Sequence, residues 1–217
     1  MNTEKERIIS LLNALGSEYK NAECELDYSS NFELLVAVIL SAQCTDKRVN
    51  EVTKVLFKKF NTPQEFAALS NAELEKYIYS CGFYKNKAKN IIACARDLVA
   101  RFGGVVPDNK EGLKSLAGVG EKTANVVLAT AFNMPAIAVD THVFRLSHRL
   151  GLSNGKNVKL VQVDLENIIP KKDWSKMHLA LVLHGRYVCH ARNPKCSECK
   201  LRQFCKFAEQ NQGAGRV

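Results

Sequence analysis

Hydrophobic positions recur at helical spacing along almost the whole chain, and strand-like alternation is scarce. Thr3-Glu4-Lys5-Glu6 has the form of a capping box, in which the threonine and the glutamate each satisfy a backbone amide. Ile8, Leu11, Leu12 and Leu15 then share one face, with Gly16 as the expected stop. Asn31 is placed to cap a second helix, Phe32 to Leu40, which is apolar on nearly every side and so belongs at the centre of a core. Asp46 opens a third, with Val49, Val52, Val55, Leu56 and Phe60 on one stripe. Thr62-Pro63-Gln64-Glu65 and Ser70-Asn71-Ala72-Glu73 repeat the capping pattern, the second leading a helix toward Tyr79 that stops at Cys81-Gly82. Further helices are expected near 86–102, 108–115, 121–132, 141–150, 156–168 and 174–188, the last capped by Asp173. The pattern predicts an all-α protein of about ten short helices, with no low-complexity tract and no fixed repeat.

Composition narrows the class. The chain has 217 residues, 46% of them hydrophobic, enough for one large or two small domains with a real core. Its longest purely apolar run, Leu34 to Leu40, has 7 residues against the roughly 20 that cross a bilayer. The charged start, Met1 to Arg7, lacks the apolar centre of a signal peptide. These features suggest a cytoplasmic protein, associated with the nucleoid if bacterial, and no membrane partner. A formal charge of +9 points to a polyanion, with nucleic acid the leading candidate.

The densest chemistry lies in Leu116-Ala117-Gly118-Val119-Gly120-Glu121-Lys122-Thr123-Ala124-Asn125. Two glycines between two helices allow a tight hairpin whose backbone can approach a ligand. The amides at the start of the following helix suit a phosphate. A lone Gly-x-Gly would read as a plain helix corner; the flanking Leu116 and the helix after Gly120 make the signal more specific. Lys122 falls in the first turn of that helix, where the dipole opposes a cation and favours the neutral amine that nucleophilic attack requires. Taken alone it would be a solvated surface lysine. Asp140, in Val139-Asp140-Thr141-His142, reads as a helix N-cap, a role compatible with catalysis. An amine and a carboxylate together suit attack at a sugar C1′: the amine forms a Schiff base and the carboxylate stabilises the oxocarbenium-like charge.

The chain has 8 cysteines. Cys24, Cys44, Cys81 and Cys94 are scattered and read as small buried hydrophobes. Cys189, Cys196, Cys199 and Cys205 lie within 17 positions and imply a metal centre. Zinc prefers two close pairs, and only one is present, so spacing slightly favours a [4Fe–4S] cluster and leaves zinc open. His184 and His190 are alternative ligands, though core or surface roles fit both. From Arg186 to Lys206, six Lys and Arg face one acid, Glu198, so the loop can present cations to phosphates or be simply solvated.

The hairpin, the Val-Asp-Thr-His motif and the Cys-x6-Cys-x2-Cys-x5-Cys spacing together resemble endonuclease III, the helix-hairpin-helix family of DNA glycosylases and abasic-site lyases. The resemblance covers almost the whole chain. It implies a two-domain all-α fold with DNA in the cleft between. Residues 25–133 would form a six-helix barrel, and residues 1–24 and 134–217 a second domain holding a [4Fe–4S] cluster on Cys189, Cys196, Cys199 and Cys205. The nucleophile falls on Lys122, the catalytic aspartate on Asp140 and the phosphate grip on Gly118, Val119 and Gly120. Leu40-Ser41-Ala42-Gln43-Cys44-Thr45-Asp46 places Gln43, and Gly82-Phe83-Tyr84 places Phe83, where the family fills the space left by an extruded base. His142, Arg192 and Lys195 are expected at the DNA as well. Three departures stand out: Ala117 in place of the usual proline, Glu121 where a basic residue is common, and Phe83 in place of a leucine wedge.

The resemblance implies a bifunctional base-excision-repair glycosylase for oxidised or saturated pyrimidines. It would cleave the abasic strand 3′ to the lesion by β-elimination, acting as a monomer on double-stranded DNA with damaged bases or abasic sites. Thymine-mismatch and adenine glycosylases of the superfamily are rivals disfavoured by Lys122. A non-catalytic helix-hairpin-helix DNA-binding protein, or a cluster protein for electron transfer, is disfavoured by the Lys122 and Asp140 pair.

Overall fold

The structure, a computed structural model, describes residues 3–211. Among them all regular structure is helical: twelve α-helices and two short 3-10 turns, with no strand. The chain divides into two compact units, one of Glu25–Asn133 and the other of the residues up to Cys24 together with those from Met134 onward.

The Glu25–Asn133 unit contains α2 (Asn31–Leu40), α3 (Asp46–Leu56), α4 (Pro63–Ala68), α5 (Asn71–Ile78), α6 (Tyr84–Phe102), α7 (Lys110–Lys114) and α8 (Glu121–Ala131). Every residue of α2 from Phe32 to Leu40 is buried, as its all-round apolarity dictates. It packs on α3, α6 and α8. Its cap is Ser30, one residue before the expected Asn31, because the serine hydroxyl accepts the Glu33 amide. The capping boxes at Thr62 and Ser70 form as expected. Phe66 fills the core beneath α4, with Phe32 and Phe60 edge-on to its ring at 5.2 and 6.5 Å. Val55, expected on the buried stripe of α3, is instead 55% exposed, while Val49, Val52 and Leu56 are buried. The stripe of this helix is narrow, and Val55 falls beside it.

The second unit contains α1 (Glu4–Glu18), α9 (Thr141–Leu150), α10 (Val158–Ile168), α11 (Trp174–Tyr187) and α12 (Lys206–Asn211). The Thr3 capping box is present. Gly16 does not end α1. It lies inside the helix, where a Cβ would sit 2.6 Å from Met177 Cε, so its role is to let α1 approach α11 closely. Asp173 belongs to a 3-10 turn, Lys171–Asp173, and gives α11 no side-chain cap. The core joins Leu11 and Leu15 of α1 to Val143, Leu146 and Leu150 of α9, Val161 and Leu165 of α10, and Ala180 and Leu181 of α11.

Candidate active site and cysteine loop

The hairpin is built by burying its apolar residues and freeing its glycines. Leu116 and Val119 are buried, Val119 at 7% exposure, and the Val119 amide donates to the Leu116 carbonyl at 3.2 Å. Gly118 has φ +77°, a left-handed conformation that costs other residues free energy, and a Cβ there would stand 2.9 Å from Asn90 Cβ. Gly120 is the N-cap of α8, with extended backbone and open space where a Cβ would be. It supplies no side-chain cap, so the first-turn amides of α8 face outward for an anion. Lys122 lies exposed in that first turn.

Glu121 stands beside it without adding a net negative charge. Its carboxylate pairs with Lys110 and, at 2.9 Å, with Lys114. Hydrogen bonds from these two lysines hold it below the usual carboxylate range. The sequence departure at Glu121 is thus accompanied by two cations from α7.

Two further positions in the same unit carry unusual backbone. Gln43 has φ +53° and Phe83 has φ +58°, both left-handed without being glycine. Such conformations persist only where surrounding structure enforces them, and they collect at ligand-contacting sites. Both side chains are exposed, Phe83 at 66%. The two turns touch: a Cβ on Gly82 would lie 3.5 Å from the Gln43 carbonyl oxygen.

Asp140 is the N-cap of α9. Its Oδ1 accepts the His142 and Val143 amides at 2.9 and 2.8 Å, so both capping bonds fall on one carboxylate oxygen. His142 is half-buried, with Nδ1 3.3 Å from Arg145 Nη2. One turn along α9, Arg145 donates to the carbonyls of Cys189, at 3.0 Å, and Gly185, at 2.8 Å. Arg149 follows, with Nη1 3.3 Å from Cys189 Sγ and 2.7 Å from the His190 carbonyl, and its guanidinium lies over the Phe207 ring.

Cys189, Cys196, Cys199 and Cys205 line one cavity with His184, Pro194, Arg202 and Phe207. Four thiols around one shared cavity are the donor set that a [4Fe–4S] cluster takes. Burial raises the thiols of Cys196, Cys199 and Cys205 above the ordinary cysteine range. Burial also pushes His184 down to about 4, so its neutral ring sits between the Tyr19 hydroxyl at 3.1 Å and Cys199 Sγ at 3.5 Å. Arg192 and Lys195 are exposed on the loop. Arg7 reaches over from α1 to donate to the carbonyls of Leu150, Gly151 and Phe204 at 2.9, 3.0 and 2.5 Å.

Comparison with known proteins places these features in one lineage. Residues 36–171 match the HhH-GPD superfamily base excision DNA repair protein, and residues 189–205 match the iron-sulfur binding domain of endonuclease III. Endonuclease III of Bacillus subtilis is 47% identical, over 95% of this chain and 94% of its own length. That of Escherichia coli is 43% identical, over 95% and 98%. The chain belongs to the endonuclease III family. A solved endonuclease III trapped as a covalent intermediate with DNA superposes with a TM-score of 0.91 at 45% identity, over 97% of this chain and 99% of that one. A thermostable thymine-DNA glycosylase shares the fold, with a TM-score of 0.84 at 22% identity.

As a member of the endonuclease III family the chain is a bifunctional DNA glycosylase and abasic-site lyase of base excision repair, and its cofactor is a [4Fe–4S] cluster. Residues that sequence reasoning missed are Arg7, Arg145 and Arg149, which hold the cysteine segment to α1 and α9. Arg145 and Arg149 share a face of α9 at four-residue spacing, the one signal that pointed to a common partner. Lys87 was missed too: it is buried, with its amine donating to the Leu40 carbonyl at 2.9 Å.

Proposed function

We propose that this chain removes oxidised or saturated pyrimidines from double-stranded DNA and cuts the resulting abasic strand 3′ to the lesion. Lys122 is the nucleophile. Its amine attacks C1′ of a flipped nucleotide, the bond from C1′ to the base breaks, and the base leaves carrying a proton. Asp140 stabilises positive charge developing at the sugar and manages the proton. The product is a Schiff base. Loss of a C2′ proton then breaks the C3′–oxygen bond and releases the 3′ strand. Gly118, Val119 and Gly120 hold a phosphate by backbone, which positions the strand without reading its sequence. Gln43 and Phe83 occupy the space left by the extruded nucleotide. His142, Arg192 and Lys195 contact the DNA. Flipping costs a few kcal/mol, least at a damaged base, which contributes to selectivity.

The observation that carries this reading is the likeness to an endonuclease III caught in a covalent intermediate with DNA. Covalent chemistry needs a nucleophile, and Lys122 is an exposed amine on the helix that the glycine hairpin opens. Cys189, Cys196, Cys199 and Cys205 hold the [4Fe–4S] cluster, which ties the loop together when bound; no step of base excision runs through it. Arg145 and Arg149 anchor that loop to α9. The protein works as a cytoplasmic monomer; no helix among the described residues is long and apolar enough to cross a membrane.

Borohydride trapping tests the reading. Incubated with a thymine-glycol or abasic duplex, the wild type is expected to give a covalent adduct that Lys122→Ala abolishes. Asp140→Asn is expected to slow base release far more than it weakens binding. An adduct of undiminished yield in Lys122→Ala would overturn the assignment of the nucleophile.

A further inference from the structure

Two cysteines outside the cluster set meet at the turns that carry Gln43 and Phe83. Cys44 directly follows Gln43, and Cys81 precedes Gly82 and Phe83. The two turns touch, a Cβ on Gly82 lying 3.5 Å from the Gln43 carbonyl oxygen, and the Cys44 and Cys81 side chains interact across that contact. Each is anchored by its backbone at the end of a helix: the Cys44 amide donates to the Ser41 carbonyl at 3.1 Å, and the Cys81 amide to the Ile78 carbonyl at 2.9 Å. Cys81 is fully buried, while Cys44 is half-buried and within reach of a small reagent. Two cations face the pair, the Lys87 ammonium and the Arg48 guanidinium. Burial pushes the Cys81 thiol up to about 11, which keeps it unreactive on its own.

We propose that Cys44 and Cys81 form a modification site, an intramolecular disulfide made by an oxidant of the peroxide class, which locks the Gln43 and Phe83 turns to each other. The Cys44 thiolate attacks a peroxide oxygen, the O–O bond breaks, and hydroxide leaves to be protonated to water. The resulting sulfenic acid is then attacked by the Cys81 sulfur. The S–S bond forms as the S–O bond breaks, and the departing oxygen leaves as water with the Cys81 proton. Two thiols and one hydrogen peroxide thus give one disulfide and two waters. A dithiol reverses the step. Lys87 and Arg48 partly offset the burial that disfavours the Cys81 thiolate.

Closing the pair to a disulfide of about 2.05 Å draws the two turns together. Those turns hold the left-handed residues Gln43 and Phe83. Their displacement weakens the grip on DNA, a consequence that rests on the DNA role proposed above for these two side chains. Oxidative conditions would then disable the enzyme reversibly at a place separate from the cluster loop.

The test uses the cluster-loaded protein, treated with hydrogen peroxide, alkylated with N-ethylmaleimide and digested for mass spectrometry. The expected result is a cross-linked peptide pair joining Cys44 to Cys81, about 2 Da lighter than the two free peptides together, lost on adding dithiothreitol and absent from Cys44→Ser. Binding to a duplex with a tetrahydrofuran abasic analogue, followed by anisotropy, is expected to weaken about tenfold on oxidation of the wild type and to be unaffected by oxidation in Cys44→Ser and Cys44→Ala. Visible absorbance of the cluster, followed in parallel, reports whether the cluster has survived. Two thiols that both stay alkylatable, or a Cys44 that stops at sulfinic acid, would overturn the modification site. A disulfide that forms without changing affinity would overturn the locking. Reduced Phe83→Ala and Gln43→Ala binding as tightly as wild type would instead count against the DNA role, leaving the disulfide intact.

Discussion

The two glycines of the hairpin should respond oppositely to the same added methyl group. At Gly118, φ of +77° puts alanine in the left-handed region, at a cost of roughly 1–2 kcal/mol. The new Cβ would also meet Asn90 Cβ at 2.9 Å, a carbon next to the backbone of α6 that cannot swing aside, which adds about 1 kcal/mol. Alanine restricts the unfolded chain and returns roughly 0.4–1 kcal/mol. The net loss for Gly118→Ala is therefore about 2 kcal/mol. At Gly120 the backbone is extended and nothing lies within 4 Å of the new methyl. Losing glycine as N-cap costs about 0.5–1 kcal/mol, which the unfolded-state term offsets, so Gly120→Ala should stay within about 0.5 kcal/mol of wild type. Yet its methyl stands at the mouth of α8, where a phosphate would meet the first-turn amides. Its affinity for a tetrahydrofuran duplex should fall about tenfold. Urea unfolding and anisotropy read the two quantities separately. Wild-type affinity in Gly120→Ala would refute the backbone phosphate grip, and wild-type stability in Gly118→Ala would refute the conformational argument.

Glu121→Gln releases Lys110 and Lys114 from their carboxylate, so DNA binding should tighten and its logarithmic salt dependence should steepen by up to about 1, with less than about 1 kcal/mol change in stability because the pairs are exposed. Anisotropy titrations at several salt concentrations would show this, and weaker binding would contradict it. Arg7→Ala leaves the carbonyls of Leu150, Gly151 and Phe204 without their guanidinium, an expected loss of about 3 kcal/mol by urea unfolding. Arg149→Met removes the contacts to Cys189 and His190, so iron should pass to a chelator several-fold faster, as followed by loss of visible absorbance.

What could be read from sequence was local. The capping boxes at Thr3, Thr62 and Ser70 each need only four consecutive residues, and all three form. The all-apolar run of α2 declares its own burial. Long-range partners leave no such signature. Arg7 serves carbonyls more than 140 positions away, and nothing near it in sequence points there. Glu121 stood out only as a departure from a basic residue, because its compensating lysines lie on the preceding helix, a relation only the folded hairpin supplies. Gln43 and Phe83 carry no signal of a DNA role by themselves, and the family resemblance supplied it. Their positive φ values arise from the turns that hold them, not from their own preferences. Gly16 misled for the opposite reason: glycine most often stops a helix, but here it makes room for Met177.

The arrangement of α9 gives the cysteine loop a reason to be where it is. The helix is only 10 residues long, and its two ends do different work. At the N-terminus Asp140 caps the first turn through Oδ1. From the middle onward Arg145 and Arg149 are committed to the Cys189 region, with further hold on Gly185 and His190. A helix this short has little intrinsic stability and takes its position from what it packs against. The loop that binds the cluster is one of those supports, together with α1 and α11 through the shared core. Any loosening of the loop therefore acts on the backbone that aims the proposed carboxylate. Lys122 sits on α8, which is packed on α2 and α7 within the Glu25–Asn133 unit, so its placement follows from that packing and that of Asp140 from α9 and the loop.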